Sequence, residues 1–229
     1  MLLTSDREAS YLGAILRRYD PDLAVCHVAT LAALRDRLGR PGPRWRRLVG
    51  FCTGEIVPRT LLAACSGGAY NFHPGSPTFP GKYPECFAAY QGAERFGATV
   101  HEMAPRVDSG AIVGVEWFDV PRGAGRMVLA DLAYQATVRL FVRVGPALIA
   151  AASPMPRLSV SWSGHKSTQA EIDRMRQVTP EMTRSEFERR RRAFGEGPEA
   201  GLWLMLHGYR FDWRAGPWGG PDGDDTPSP

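Results

Sequence analysis

Between Leu2 and His73, short apolar runs alternate with stretches in which apolar residues recur every three or four positions, and this alternation constrains the fold more than any other feature. The short runs suit strands buried on both faces, while the amphipathic stretches between them supply the crossovers that parallel strands require. The expected class is therefore α/β, a mostly parallel sheet with helices on both faces. Leu2 to Thr4 opens it, and Ser5 or Asp6 caps a helix in which Tyr11, Leu12, Ile15, Leu16 and Tyr19 fall at helical spacing. Asp20-Pro21-Asp22 sets off a strand from Leu23 to Val28. Thr30 caps a second helix that runs to Leu38 and stops at Gly39 and Pro41. Leu48 to Cys52 is a third strand, Pro58 to Ala64 a short helix opened by proline, and Ala69 to Phe72 a fourth strand ending at His73 and Pro74.

The chain then changes character. Pro74, Pro77, Pro80 and Pro84, with Gly75 and Gly81, are too many breakers for a regular element, so residues 73–84 read as an ordered loop or a mobile lid. A helix around Cys86 to Gln91 leads to a hairpin-like pair, Ala98 to Met103 and Ala111 to Phe118, and then to a long helix from Asp131 to Ala151. Ala152 to Pro156 reads as a linker that closes a catalytic unit of residues 1–152. Residues 153–213 are expected to form a small C-terminal helix-and-hairpin addition: helices at Glu171 to Arg176 and Arg184 to Phe194, then strands at Leu202 to Leu206 and Tyr209 to Trp213 around His207-Gly208. In residues 214–229, Gly, Pro and Asp are too frequent to pack, and a disordered tail is expected.

Composition excludes several classes. With 229 residues, 44% of them hydrophobic, the chain reads as globular, neither disordered nor fibrous. No apolar run approaches the roughly 18 residues a membrane span needs. Met1 to Ser10 lacks the plan of a signal peptide, so a cytoplasmic location with no membrane partner is expected. The net charge of +4 favours anions, but much of it comes from Arg184 and Arg189 to Arg192, a run that reads as a solvated helix face rather than a nucleic-acid surface. Cys26, Cys52, Cys65 and Cys86 lack CxxC spacing, which favours buried thiols over disulfides or a zinc site.

The chemistry lies at the end of the fourth strand. Ligands of open α/β sheets bind beyond the carboxyl ends of strands. Asn71 and His73 are two apart and so emerge on one side of an extended backbone, offering an amide donor beside a group that titrates near neutrality. Asp108 follows in the turn Val107-Asp108-Ser109-Gly110. An amide to hold an oxyanion, an imidazole to carry a proton and a carboxylate to orient it are what acyl transfer to an amine needs, and no metal is required.

Asn71-Phe72-His73-Pro74, Gly97-Ala98-Thr99-Val100-His101 and Val107-Asp108-Ser109-Gly110-Ala111-Ile112, in this order and spacing, resemble the folate-dependent formyltransferase family, which includes methionyl-tRNA formyltransferase, glycinamide ribonucleotide transformylase, formyltetrahydrofolate deformylase and the sugar N-formyltransferases. The resemblance covers residues 48–118 and, more loosely, the opening strands. It implies a Rossmann-like formyltransferase fold, 10-formyltetrahydrofolate as formyl donor, a small-molecule amine as acceptor, and Asn71, His73 and Asp108 as catalytic residues. Gly54-Glu55-Ile56-Val57-Pro58 resembles the segment that receives the pterin, which implicates Phe51, Gly54, Ile56 and Val57, with Val107 and Gly110 opposite. Arg192-Ala193-Phe194, Gly201-Leu202-Trp203 and Gly208-Tyr209 are similar to the region that follows the catalytic domain in methionyl-tRNA and sugar formyltransferases.

Departures narrow the acceptor. Thr4-Ser5-Asp6-Arg7-Glu8 has no glycine and two acids where the glycinamide ribonucleotide enzyme holds a phosphate, so a phosphate there is not expected. The chain has no room for the deformylase's extra domain, and the residues after Pro154 are too few for the tRNA enzyme's barrel. An amino sugar, as its nucleotide, or another small amine remains. Lys82, Tyr83 and His101 are candidate acceptor contacts, set against a solvated loop for the first two and a core role for the third. His165 and Lys166 could reach an acceptor phosphate but read better as surface residues, and Trp203, Tyr209, Phe211 and Trp213 could stack on a sugar or base but read better as hairpin packing or a homodimer contact. Two rival functions stay open: formyltetrahydrofolate hydrolysis, which needs no amine, and folate binding without turnover, which does not need all three side chains.

Overall fold

The computed structural model describes residues 1–40, 45–151, 154–163, 165–197 and 201–213; the expected disordered tail, 214–229, lies outside them. Six strands form one sheet in the order β2-β1-β3-β4-β5-β6. β1 (Leu2–Leu3) runs parallel to β2 (His27–Val28) and β3 (Leu48–Phe51), and β3 parallel to β4 (Ala69–His73). β5 (Arg95–Glu102) turns antiparallel to β4, and β6 (Ile112–Asp119) antiparallel to β5. This is the expected Rossmann-like α/β class, a mostly parallel sheet with helices on both faces, followed by a small C-terminal hairpin.

Period-two alternation divides the strands between two cores. Leu2, Val49, Tyr70 and Phe72 face α1 (Asp6–Arg17) and the long α5 (Arg126–Ala150). Leu3, Leu48 and Ala69 face the opposite way, toward α2 (Leu31–Gly39) and α3 (Arg59–Leu62). Asn71 and His73 share that second face. Ser5 and Glu8 form a capping box on α1, and the Thr30 hydroxyl caps α2.

Three expectations need correction. The second strand is only His27–Val28, because its sole neighbour, β1, offers only two residues to pair with. The long helix begins at Arg126, a full turn before Asp131; a basic first turn opposes the helix dipole, but buried Arg126 lies 3.8 Å from Glu85 of α4 (Pro84–Gln91). The linker is no linker from Met155 onward: Met155 is buried in the main core and its N–H donates to the Tyr70 hydroxyl at 2.9 Å, while residues 152–153 lie outside the described set.

Beyond Met155 the chain returns across the molecule as a strap. Leu158 N–H donates to the Ile112 carbonyl, Ser163 N–H to Pro77 and Ser167 N–H to Pro80. α6 (Gln169–Arg176) and α7 (Arg184–Phe194) follow, capped by Thr168 and Thr183. α4, α5, α6, α7 and Leu202 share a third core with Phe96. β7 (Trp203–Leu206) and β8 (Tyr209–Asp212) form a separate hairpin through a turn in which His207 and Gly208 both have positive φ, and Trp203 also bridges Gln177 after α6. In the arginine run, Arg189 and Arg190 pair with Glu186 and Arg191 with Glu188. No described helix is long and apolar enough to cross a membrane.

Candidate active site

β4 and β5 place His101 directly opposite Asn71 in the antiparallel register, so three polar side chains, Asn71, His73 and His101, stand on one face of adjacent strands. The segment between β5 and β6 folds back over that face and delivers Asp108. Its Oδ1 lies 3.4 Å from His101 Nε2 and its Oδ2 3.8 Å from His73 Nε2, and Oδ2 also accepts the Gly81 N–H at 2.7 Å. The residues are buried: His73 is 8% exposed, Asp108 5% and His101 3%.

Asp108 reaches this position with φ of 42°, in the left-handed region that Asp tolerates better than most residues. Gly110 is needed two residues later, since a Cβ there would stand 1.8 Å from the Glu102 carbonyl oxygen. Gly75 serves the imidazole in the same way: a Cβ would meet His73 Nε2 at 2.4 Å. Gly81, at φ of 101°, lies against the strap at Ser167.

Burial, the largest influence on His73, pushes its pKa below the ordinary histidine value against the pull of the Asp108 carboxylate. The ring also hydrogen-bonds the Phe79 backbone, while Nε2 is buried without a partner. The proton therefore sits on Nδ1, and Nε2 presents a bare lone pair. Burial opposes ionisation of Asp108 too, but there the His101 hydrogen bond, the attraction of the His73 ring and the Gly81 N–H prevail and hold its pKa down at about 2. The result is a neutral base beside a permanent anion. Asn71 Nδ2 lies 3.4 Å from His101 Nε2, and its Oδ1 is buried and unpaired. His101 donates through Nδ1 to the Glu102 carbonyl at 2.8 Å.

A cleft of about 350 Å³ opens over these groups, walled by Thr53 to Val57 on one side and Met103 to Asp108 on the other. Of the expected donor contacts, Gly54, Ile56, Val57 and Val107 line it. Phe51 is fully buried in the main core, and Gly110 stands behind the Asp108 turn, where its carbonyl accepts the Trp162 indole N–H. Of the expected acceptor contacts, Lys82 and His101 line the cleft. Tyr83 instead packs on the third core, under the Arg126 guanidinium at 5.8 Å. A second cavity, about 230 Å³, lies around Met1, Leu23, Trp45 and Leu148; Arg46 and Arg47 beside it donate to the Gly67, Ile149 and Ala151 carbonyls.

The strap is the part that residue-by-residue reading missed. Trp162 stands edge-on to His101, ring centroids 5.1 Å apart, and to His73 at 6.2 Å. Lys166 donates to the Val107 carbonyl, and Lys82 N–H to Ser167. A lone tryptophan in a segment without periodicity gives no signal by which it could be assigned to a site.

A buried neutral imidazole and an ionised carboxylate thus lie beneath an open cleft on a Rossmann-like sheet. Residues 47–143 match the family model described as formyl transferase. It is 30% identical over 128 residues to methionyl-tRNA formyltransferase of Chloroflexus aggregans, an alignment that covers 56% of this chain and 37% of that protein. The chain thus spans little more than a third of the length of that curated relative. The structure resembles a sugar N-formyltransferase from Shewanella sp. (TM-score 0.76, 15% identity, 93% of this chain and 95% of that one). It also resembles the N-formyltransferase of Helicobacter canadensis in complex with folinic acid and dTDP-3-aminofucose (TM-score 0.52, 15% identity, 64% and 54%).

Proposed function

We propose that this chain transfers the formyl group of 10-formyltetrahydrofolate to the amine of a small molecule, with an amino-sugar nucleotide as the favoured acceptor. The observation that carries the reading is the unpartnered Nε2 of His73, held buried beside ionised Asp108 and beneath the cleft. The cleft between residues 53–57 and 103–108 has the size and the mixed lining for a folate head group. The Helicobacter canadensis protein holds a folate and an amino-sugar nucleotide, which supports the same pair here.

In this reading the amine nitrogen forms its bond to the formyl carbon as the bond from that carbon to folate N10 breaks. His73 Nε2 takes the proton the amine loses and returns it through a relay water to N10, so tetrahydrofolate and an N-formyl product leave and the imidazole is again neutral. The Asn71 amide N–H meets the charge that develops on the formyl oxygen. Asp108 stabilises the imidazolium during transfer and orients a relay water. The β1–α1 turn is not where an acceptor phosphate goes: the Glu8 carboxylate already accepts the Ser5 N–H at 3.1 Å and the Thr4 and Ser5 hydroxyls, so an anion there meets an anion.

Incubation with 10-formyltetrahydrofolate and a panel of amino-sugar nucleotides, aminoacyl donors and small amines, read by mass spectrometry, should give an N-formyl product with one class. His73→Ala should lower turnover by about 10²–10⁴-fold with an unchanged circular dichroism spectrum. Retention of most activity would remove His73 from the chemistry. Tetrahydrofolate release that no amine accelerates would instead make the chain a hydrolase.

A further inference from the structure

The site's second imidazole and its tryptophan neighbour have no part in the proton path above, yet they are packed together with care. Trp162 belongs to none of the three apolar cores among the described residues. Its ring is spent on the two histidines, nearly perpendicular to His101 at 84° and tilted 66° to His73. Its indole N–H donates to the Gly110 carbonyl at 2.9 Å, which ties it to the turn that holds Asp108 in left-handed backbone. The next residue, Ser163, donates its N–H to Pro77 in the loop after β4. Two successive residues, Trp162 and Ser163, therefore tie both loops of the site to a segment that lies outside the family match at residues 47–143.

We propose that Trp162 is a positioning residue whose indole walls the imidazole pair off from bulk water and so directs the formyl carbon to an amine rather than to water. The proposal rests on the formyl-transfer reading. Water and the amine compete for one carbon: attack by the amine gives N-formylamine and tetrahydrofolate, attack by water gives formate and tetrahydrofolate, and in both the bond to N10 breaks and N10 gains a proton. A base buried beside an anion serves either nucleophile, so the outcome depends on which of them reaches Nε2. The indole edge covers the imidazoles from the strap side, and Asn71 and the cleft are left as the approach.

The test uses the full chain and 10-formyltetrahydrofolate in amine-free buffer, with formate and tetrahydrofolate release as readout. Trp162→Ala should raise amine-free release about tenfold, equivalent to about 1.4 kcal/mol off the barrier. Trp162→Phe, which keeps an aromatic wall, should stay within about twofold of the parent chain, well under that change. Adding His73→Ala to Trp162→Ala should abolish the gain, which locates the hydrolysis in this site. A second readout needs no folate: in the Trp162→Ala chain, the NMR titration of His73 should shift upward toward its ordinary value as burial is relieved. The other titratable groups facing it, Asp108, His101 and, through Val107, Lys166, are unchanged. Equal hydrolysis and equal titration in folded Trp162→Ala would reduce Trp162 to packing. If the alanine variant does not fold, Trp162→Leu, which keeps bulk but not the aromatic edge, is read by the same two criteria. A parent chain that turns over no folate at all would sink the formyl-transfer reading, and the His73 titration would still decide whether the indole is a wall.

Discussion

At the scale of single residues, the site depends on keeping opposite protonation states a few ångströms apart. His73 is neutral because burial outweighs the carboxylate beside it, and Asp108 is ionised because its hydrogen bonds outweigh burial. A base with a lowered folded pKa stays competent further into acid than a solvent-exposed histidine. The acid limb of kcat/KM should therefore lie below pH 6.5, the ordinary histidine value, and stability should follow the same sign. The unfolded chain takes up the His73 proton first, so the contribution of the neutral ring is present above the unfolded pKa and is lost as pH falls through the folded one. A pH-rate profile with its acid limb at or above 6.5 would show the ring to be more exposed than the fold places it. Asn71 and His73 were legible because a two-residue spacing at a strand end has one geometric meaning. Asp108, before Ser109-Gly110, reads better as a turn residue when taken alone and is singled out only by the motif order, and Trp162 carries no local signature because its partners lie far from it in sequence.

Elements were legible wherever periodicity had room to repeat. β3, β4, α2 and α7 fall at the residues their patterns indicate. β2 does not, because ladder length is set by the partner strand, and the α5 start does not, because a tertiary ion pair with Glu85 overrides a local charge preference. The strap was hidden for a related reason: its order comes from hydrogen bonds to other segments, not from its own residues. Tyr70 is the clearest case, its hydroxyl accepting the Met155 N–H from beneath the sheet while Asn71 next to it faces the cleft. Tyr70→Phe leaves that buried N–H unpaired and should cost about 1–3 kcal/mol in urea unfolding. Turnover should stay near the parent value, since the ring that packs the core remains. An unchanged urea midpoint would mean that the strap gains nothing from this anchor.

For the whole molecule, the question is whether the C-terminal addition is an appendage or part of the same cooperative unit. Its third core draws Cys86, Phe87 and Ala88 from α4, Phe96 from the sheet and Leu129 and Ala133 from α5, and joins them to Ile172, Ala193, Phe194 and Leu202. Phe194 is the centre of this junction, its ring 5.9 Å from Phe87 and 6.5 Å from Tyr90. Truncating a buried phenylalanine costs about 3–5 kcal/mol, a large part of the roughly 5–15 kcal/mol that holds a domain together. Because α5 spans both the main and the third core, that loss should reach the sheet. Phe194→Ala is therefore expected to lower one shared transition, with tryptophan fluorescence, far-UV circular dichroism and formyl transfer all failing at the same urea concentration. If the addition melted first while transfer persisted, the strap would not be a structural member of the site, and the tie between Ser167 and the loop at Pro80 to Lys82 would carry no load.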